Sequence, residues 1–274
     1  GILFGFLAGG WLNEFFGWRT AFLVVGLPGV ALALILRFTL AEPIRGLQDG
    51  GAPAASPSFG EVLQVLWSRP TFWHLAMGAG LHAFCGYATA NWTASYMIRS
   101  FDMATGELGT WLALIIGLGG AVGVFGGGVL ADRLSERDQR WYAWLPSICG
   151  FLIVPFMVLI YTAQSAYAAL LLSVIPGILF NVYLGNTIAT THAIVSPQMR
   201  ATASAVLFLI LNIIGLGAGP WVVGVLSDVL APSLGDESLR NAMLYALPPV
   251  MTWSAIHYLL AARSVREDIA RAPR

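Results

Sequence analysis

Gly128-Val129-Leu130-Ala131-Asp132-Arg133-Leu134-Ser135-Glu136-Arg137 closes an apolar block that begins at Leu108 and opens a short, densely charged loop. Each residue type has a physical use at such a junction. Glycine lets helix backbones approach closely in lipid, a carboxylate favours the positive end of a neighbouring helix, and arginines anchor at the cytoplasmic membrane surface. An ordinary positive-inside loop has the same spacing, so the setting of the stretch decides its meaning.

That setting is a membrane. The chain is 57% hydrophobic and 10% charged, with a mean hydropathy of +0.75, too apolar for a surface solvated by water. A spanning helix needs roughly 20 mostly apolar residues. Such blocks cover Thr20 to Leu40, Phe72 to Ile98, Leu108 to Ala131, Tyr142 to Tyr161, Ala168 to Thr191, Thr202 to Leu226 and Asn241 to Ala261. Continuous blocks of this length predict helices, because barrel strands would be about 10 residues of alternating character. A further block, Gly1 to Asn13, is too short to cross alone and has neither an initiator methionine nor a charged leader before it. The sequence is therefore expected to begin partway through a protein.

Formal net charge is zero, which gives no reason to expect nucleic acid, and all 14 basic side chains are arginines. With the Glu42 to Arg69 connection placed in the cytoplasm, Arg37, Arg45, Arg69, Arg133, Arg137, Arg140, Arg200, Arg263, Arg266, Arg271 and Arg274 fall inside. Only Arg19, Arg99 and Arg240 fall outside. This bias puts the C-terminus in the cytoplasm. Gly46 to Pro57 reads as a flexible linker, and Ser58 with Glu61 has capping-box spacing, which predicts a short surface helix from Ser58 to Trp67. Cys85 and Cys149 are far apart and fall at spans, so no disulfide framework is indicated.

The opening block repeats further along the chain. Gly1, Gly5, Gly10, Leu12 and Glu14 align with Gly215, Gly219, Gly224, Leu226 and Asp228, and Trp18-Arg19-Thr20-Ala21 is answered by Leu239-Arg240-Asn241-Ala242. A parallel repeat offset by a little over two hundred residues suits a transporter of two six-helix halves.

With the repeat and linker beside it, the Gly128 to Arg137 stretch resembles the cytoplasmic signature G-x-x-x-D-R-x-x-x-R of the major facilitator superfamily, which follows the second span and recurs after the eighth. The resemblance implies an all-α integral membrane protein of the major facilitator fold, here about eight transmembrane helices of an original twelve, spans five to twelve. Residues 1–41 would end the N-terminal half, 42–69 form a cytoplasmic linker, 70–262 the C-terminal six-helix half and 263–274 a cytoplasmic tail. Arg69-Pro70-Thr71-Phe72, Trp92 with Tyr96 and Arg99, and Pro197-Gln198-Met199-Arg200-Ala201 resemble the Spinster-like branch, although Ala94 stands where that branch is expected to carry proline. By the same resemblance, Gly128, Asp132, Arg133 and Arg137 would gate conformational change, with Asp132 meeting the cytoplasmic start of the fifth span.

In this fold the seventh and tenth spans line the path, and they are the polar ones here. His82, Tyr87, Asn91, Trp92 and Ser95 on the seventh, with Asn181, Tyr183, Asn186 and Thr190 on the tenth, are the candidate path residues. On helical spacing Tyr87, Asn91 and Ser95 share one face, and Tyr183, Asn186 and Thr190 another. The alternative is that these groups are hydrogen-bonding glue between helices. None of the 14 acids lies deep in a span, so His82 is the one candidate for proton coupling in this part of the chain. His74, His192 and His257 lack metal-site spacing. The expected function is alternating-access movement of a small or amphiphilic solute, with lipid-like cargo implied by the Spinster-like resemblance. Protons or another ion would be the coupling partner, lipid the surroundings and a bacterial inner membrane the location. The competing reading is an integral-membrane enzyme such as an acyltransferase or hydrolase, for which no nucleophile-base or metal constellation is found.

Overall fold

The apolar blocks become helices wherever the backbone can close its own hydrogen bonds, as a lipid environment requires. The computed structural model describes residues 2–40 and 57–272, so the Gly46 to Pro57 linker falls almost wholly outside the described residues. The helices are α1 (Ile2–Phe16), α2 (Trp18–Thr39), α3 (Phe59–Trp67), α4 (Pro70–Phe101), α5 (Thr105–Leu112), α6 (Gly119–Ser135), α7 (Trp141–Thr162), α8 (Ala166–Leu179), α9 (Tyr183–Ala193), α10 (Arg200–Asn212), α11 (Gly219–Leu234) and α12 (Ser238–Ala270). Helical stretches over Trp18–Thr39, Thr105–Ser135, Trp141–Thr162, Ala166–Ala193 and Pro197–Ala270 are long and apolar enough to cross a membrane.

Local chemistry sets several boundaries. The expected capping box forms at α3: Glu61 N–H donates to Ser58 Oγ at 3.3 Å, and Ser58 N–H donates to Glu61 Oε2 at 2.8 Å. Pro70 opens α4, where its missing N–H leaves no bond unmade. Two wide π-turns, Ala113–Leu118 between α5 and α6 and Ile213–Ala218 between α10 and α11, occupy equivalent places in two three-helix units. That placement fits the internal repeats of transporter folds.

The block expected to run unbroken from Ala168 to Thr191 divides at Phe180–Val182. Pro176 and Gly177 weaken the helix just before this point. The Asn181 and Val182 amides then reach back only three residues, to the Ile178 and Leu179 carbonyls. Past residue 262, where the cytoplasmic tail is expected to begin, α12 continues to Ala270 and stays packed. Asp268 is 1% exposed and accepts the Thr71 amide at 3.0 Å, capping the first turn of α4, while Thr71 and Ser264 share a 2.7 Å bond.

Helix α12 lies along α4 and α7, and α11 lies along α4 and α12, with a buried core running from Phe84 and Tyr96 to Met243 and Met251. Helix α1 packs on α5 and the first π-turn. Helix α2 follows α1 and keeps one buried residue, Ala21, among those described. Arg240 closes the end of α7: its Nε donates to the Tyr161 carbonyl at 2.6 Å, and its other nitrogens reach the Ala163 carbonyl at 2.8 Å and Glu237 at 2.9 Å. Terminal carbonyls left without helical partners are satisfied by a cation there. Arg240→Ala is expected to lower stability by about 2 kcal/mol, the scale of hydrogen bonds to a charged group. Thermal unfolding of the purified variant checks this.

Candidate solute cavity

Helix α4 carries one wall of a cavity of about 480 Å³ bounded by α5 and its π-turn, α7, α8 and α9. This is the size range of small-molecule sites. On α4 the residues facing it follow a helical stripe: His82, Gly86, Thr89 and Thr93, with Tyr96 deeper. The opposite wall supplies Tyr161, Ser173, Phe180, Asn181 and Tyr183, and aliphatic side chains such as Ile115 and Met157 complete it. No Asp, Glu, Lys or Arg is among the lining side chains.

The α8–α9 break fixes the centre of this site. His82 Nε2 lies 3.0 Å from the Phe180 carbonyl oxygen, which can only accept, so Nε2 carries the proton and donates. The Tyr183 ring stacks on the imidazole at 4.1 Å, and the Phe180 ring meets it edge-on at 4.8 Å. Gly86 leaves room for the Phe180 ring, 3.4 Å from where a Cβ would stand. Behind the break, α6 offers a stripe without side chains. A Cβ at Gly127 would come within 2.9 Å of Val182, and one at Gly123 would overlap the Ile178 carbonyl. Helix α4 is held from its other side by the second π-turn and α11, where a Cβ at Gly219 would stand 2.5 Å from the Phe84 carbonyl.

Four of the nine path candidates, His82, Tyr87, Asn181 and Tyr183, meet in the cavity. The others lie off its wall. Asn91 is exposed and bonds to the Tyr87 carbonyl, Trp92 donates to the Pro220 carbonyl at 2.9 Å, and Ser95 is half-buried elsewhere on α4. Asn186 and Thr190 are buried: Asn186 donates to the Val182 carbonyl at the break, and Thr190 to the Asn186 carbonyl. Thr89, Thr93, Tyr161 and Phe180 line the cavity without having been singled out as path candidates. The spacing of seven and eleven residues from His82 to Thr89 and Thr93 was the available signal.

At the charged loop, Tyr142 donates to Asp132 Oδ1 at 3.0 Å. Arg133 and Arg137 form no ion pair among the described residues. A Cβ at Gly128 would meet nothing within 4 Å, so the close packing expected there belongs to Gly123 and Gly127 instead. Asp138 ties the loop to the end of α12 through Arg266 at 2.8 Å. Partial desolvation works against its ionisation, but the Arg140 amide and the Arg140 and Arg266 guanidinium groups outweigh it and hold the carboxyl below its ordinary value.

Helices α1 and α5 cross at Gly10 and Gly109, where an added Cβ on either would stand 3.0 Å from the other's Cα. Glu14 Oε2 accepts the Gly106 amide at 2.6 Å in the first turn of α5, and Trp11 donates to Thr110 at 3.0 Å. Cys85 and Cys149 are free and buried. His74 and His257 face each other at 3.1 Å, and no group of three or more metal-ligating side chains occurs among the described residues.

The model of the Major Facilitator Superfamily matches residues 1–262. An MFS-type efflux pump of Mycolicibacterium smegmatis is 32% identical over 98% of this chain and 62% of its own length. Protein spinster homolog 3 of Danio rerio is 24% identical over 96% of this chain and 57% of its own length. The chain thus spans roughly three-fifths of these relatives. Among solved structures, a bacterial homolog of the human lysosomal transporter Spinster, inward-facing and unoccupied, superposes with a TM-score of 0.75 at 28% identity, covering 97% of this chain and 68% of that one. Its inward-facing, occupied form gives a TM-score of 0.62 at the same 28% identity, over 98% and 66%.

Proposed function

The chain belongs to the Major Facilitator Superfamily as a Spinster-like, multi-pass membrane protein, and on that premise we propose that it contributes one half of the solute path in an alternating-access transporter for a small or amphiphilic solute. The observation that carries this reading is the 480 Å³ cavity, walled by aromatic and aliphatic groups with scattered hydroxyls and no charged side chain. Such a wall supports apolar bodies with few polar points. The matched relatives are named as pumps and transporters, which favours movement over covalent chemistry.

In this reading residues 70–262 form the C-terminal half and the arginine-rich ends face the cytoplasm. The α1–α5 crossing then lies towards the outer surface. Its Gly10–Gly109 contact and the Glu14 cap hold that side shut, in keeping with the inward-facing structures that the chain resembles. Asp132 acts at the cytoplasmic side by docking on a helix start when that side closes. Asp132→Asn is expected to slow solute exchange about tenfold and leave solute affinity unchanged; an unaltered exchange rate counts against the assignment. For the function itself the test is counterflow of labelled amphiphiles in proteoliposomes. Turnover of a solute without net movement would remove the transporter reading.

A further inference from the structure

Five buried side-chain polar atoms lack a hydrogen-bond partner among the described residues: Arg69 Nε, His82 Nδ1, Thr89 Oγ1, Ser100 Oγ and Arg140 Nε. Of these residues only His82 and Thr89 line the cavity. They lie seven residues apart on one face of α4, about 10 Å along the helix axis. Buried polar groups in native proteins are nearly always satisfied, so two such atoms in one cavity wall mark where a ligand or water belongs.

We infer that His82 Nδ1 and Thr89 Oγ1 form a two-point recognition site for an elongated, uncharged solute that presents an N–H or O–H donor to His82. This deepens the solute-path reading above and rests on it. The polarity at His82 follows from the break in the tenth span. Because Nε2–H is committed to the Phe180 carbonyl, Nδ1 of the neutral ring offers only a lone pair. Tyr183 and Phe180 hold the ring in that orientation from its face and its edge. A carboxylate or phosphate would set lone pair against lone pair, with no arginine in the wall to compensate. An ammonium would donate, but no carboxylate in the wall offsets its desolvation. An alcohol, phenol or amide on an apolar body meets both conditions. Thr89, whose hydroxyl sits beside that of Tyr161 and can donate or accept, engages a second polar group two turns away. Both atoms are sealed from water in the empty site, so a hydrogen bond that a solute brings to them replaces no bond to water.

The probes are 4-octylphenol and 4-octylanisole, which share an apolar body and differ in the O–H. Equilibrium binding of each tritiated probe to the protein in lipid nanodiscs, corrected with empty nanodiscs, reads the difference. The phenol is expected to bind about tenfold tighter, because a site built to pair a donor rejects the analogue that lacks it. His82→Phe keeps an aromatic ring against Tyr183 but removes the Nδ1 acceptor. The phenol-to-anisole ratio should then fall to about one. A longer probe with a second hydroxyl, 8-(4-hydroxyphenyl)octan-1-ol, should gain severalfold over the phenol, and Thr89→Val should remove only that gain. Equal affinities in the unmodified protein, or a ratio that survives His82→Phe, overturn the inference. Should that variant fail to reconstitute, the ratio in the unmodified protein decides. Saturable binding of neither probe also overturns it, while the transport reading is judged separately by counterflow.

Discussion

Gly123→Ala is expected to lower the thermal unfolding midpoint by roughly 6–12 °C, whereas Gly128→Ala, five residues away, should change it by no more than about 2 °C. The contrast follows from what each new methyl would meet. At Gly123 it would overlap the Ile178 carbonyl, a backbone atom at the end of α8 that cannot rotate away as a side chain can. At Gly128 it would enter open space. Overpacking against backbone costs about 3 kcal/mol, the upper end of its usual range. Helices in lipid also lack the hydrophobic drive that could pull a forced-apart pair together again. Moving Ile178 displaces the break that carries Phe180, so His82 should lose its partner as well. Differential scanning fluorimetry of both variants in one detergent makes the comparison. Equal midpoints would show that α6 and α8 do not pack as described.

Gly109→Val is expected to cut solute exchange by about a hundredfold while leaving solute binding measurable. Gly10 and Gly109 put two backbones in contact, and a Cβ at position 109 would stand 2.5 Å from the Phe6 carbonyl. A valine there acts as a wedge between α1 and α5. A penalty of about 3 kcal/mol on the closed pair shifts a two-state equilibrium roughly 150-fold towards the separated state. A carrier biased that far spends too little time in one of its two required conformations. Spin labels on Phe16→Cys and Ala104→Cys, at the facing ends of α1 and α5, should report a longer separation in the variant. An unchanged distance together with an unchanged rate would show that this crossing does not move in the cycle.

Much of the fold could be read from the sequence because lipid imposes a simple rule: each apolar block must become a helix. The Ser58–Glu61 cap was equally legible, since both of its bonds are local. The cavity was harder. Tyr183, Asn186 and Thr190 all lie on α9, beyond the break at Phe180–Val182, but only the start of that helix, Tyr183 and Leu184, reaches the cavity, and Asn186 and Thr190 are buried further along. On α4, the projection through Asn91 and Ser95 followed the polar residues nearest the span's end. Thr89, two residues before Asn91, is rotated by about 200° from it and faces the cavity. Gly128 stands out by its motif position alone. The glycines that carry contact, Gly119, Gly120, Gly123 and Gly127, stood in plain view at three- and four-residue spacing just upstream.

The first π-turn has a mechanical consequence. Widening the hydrogen-bond ladder at Ala113–Leu118 amounts to inserting one residue, which rotates everything beyond it by about 100° around the helix axis. A single span thereby presents Gly106 and Gly109 to α1 on one side of the turn, and Gly123 and Gly127 to the broken tenth span on the other. The two ends answer to different neighbours and are joined by the widened turn. The span thus has two grips set about 100° apart, one on α1 at its Thr105 end and one on the wall of the cavity at its Gly127 end.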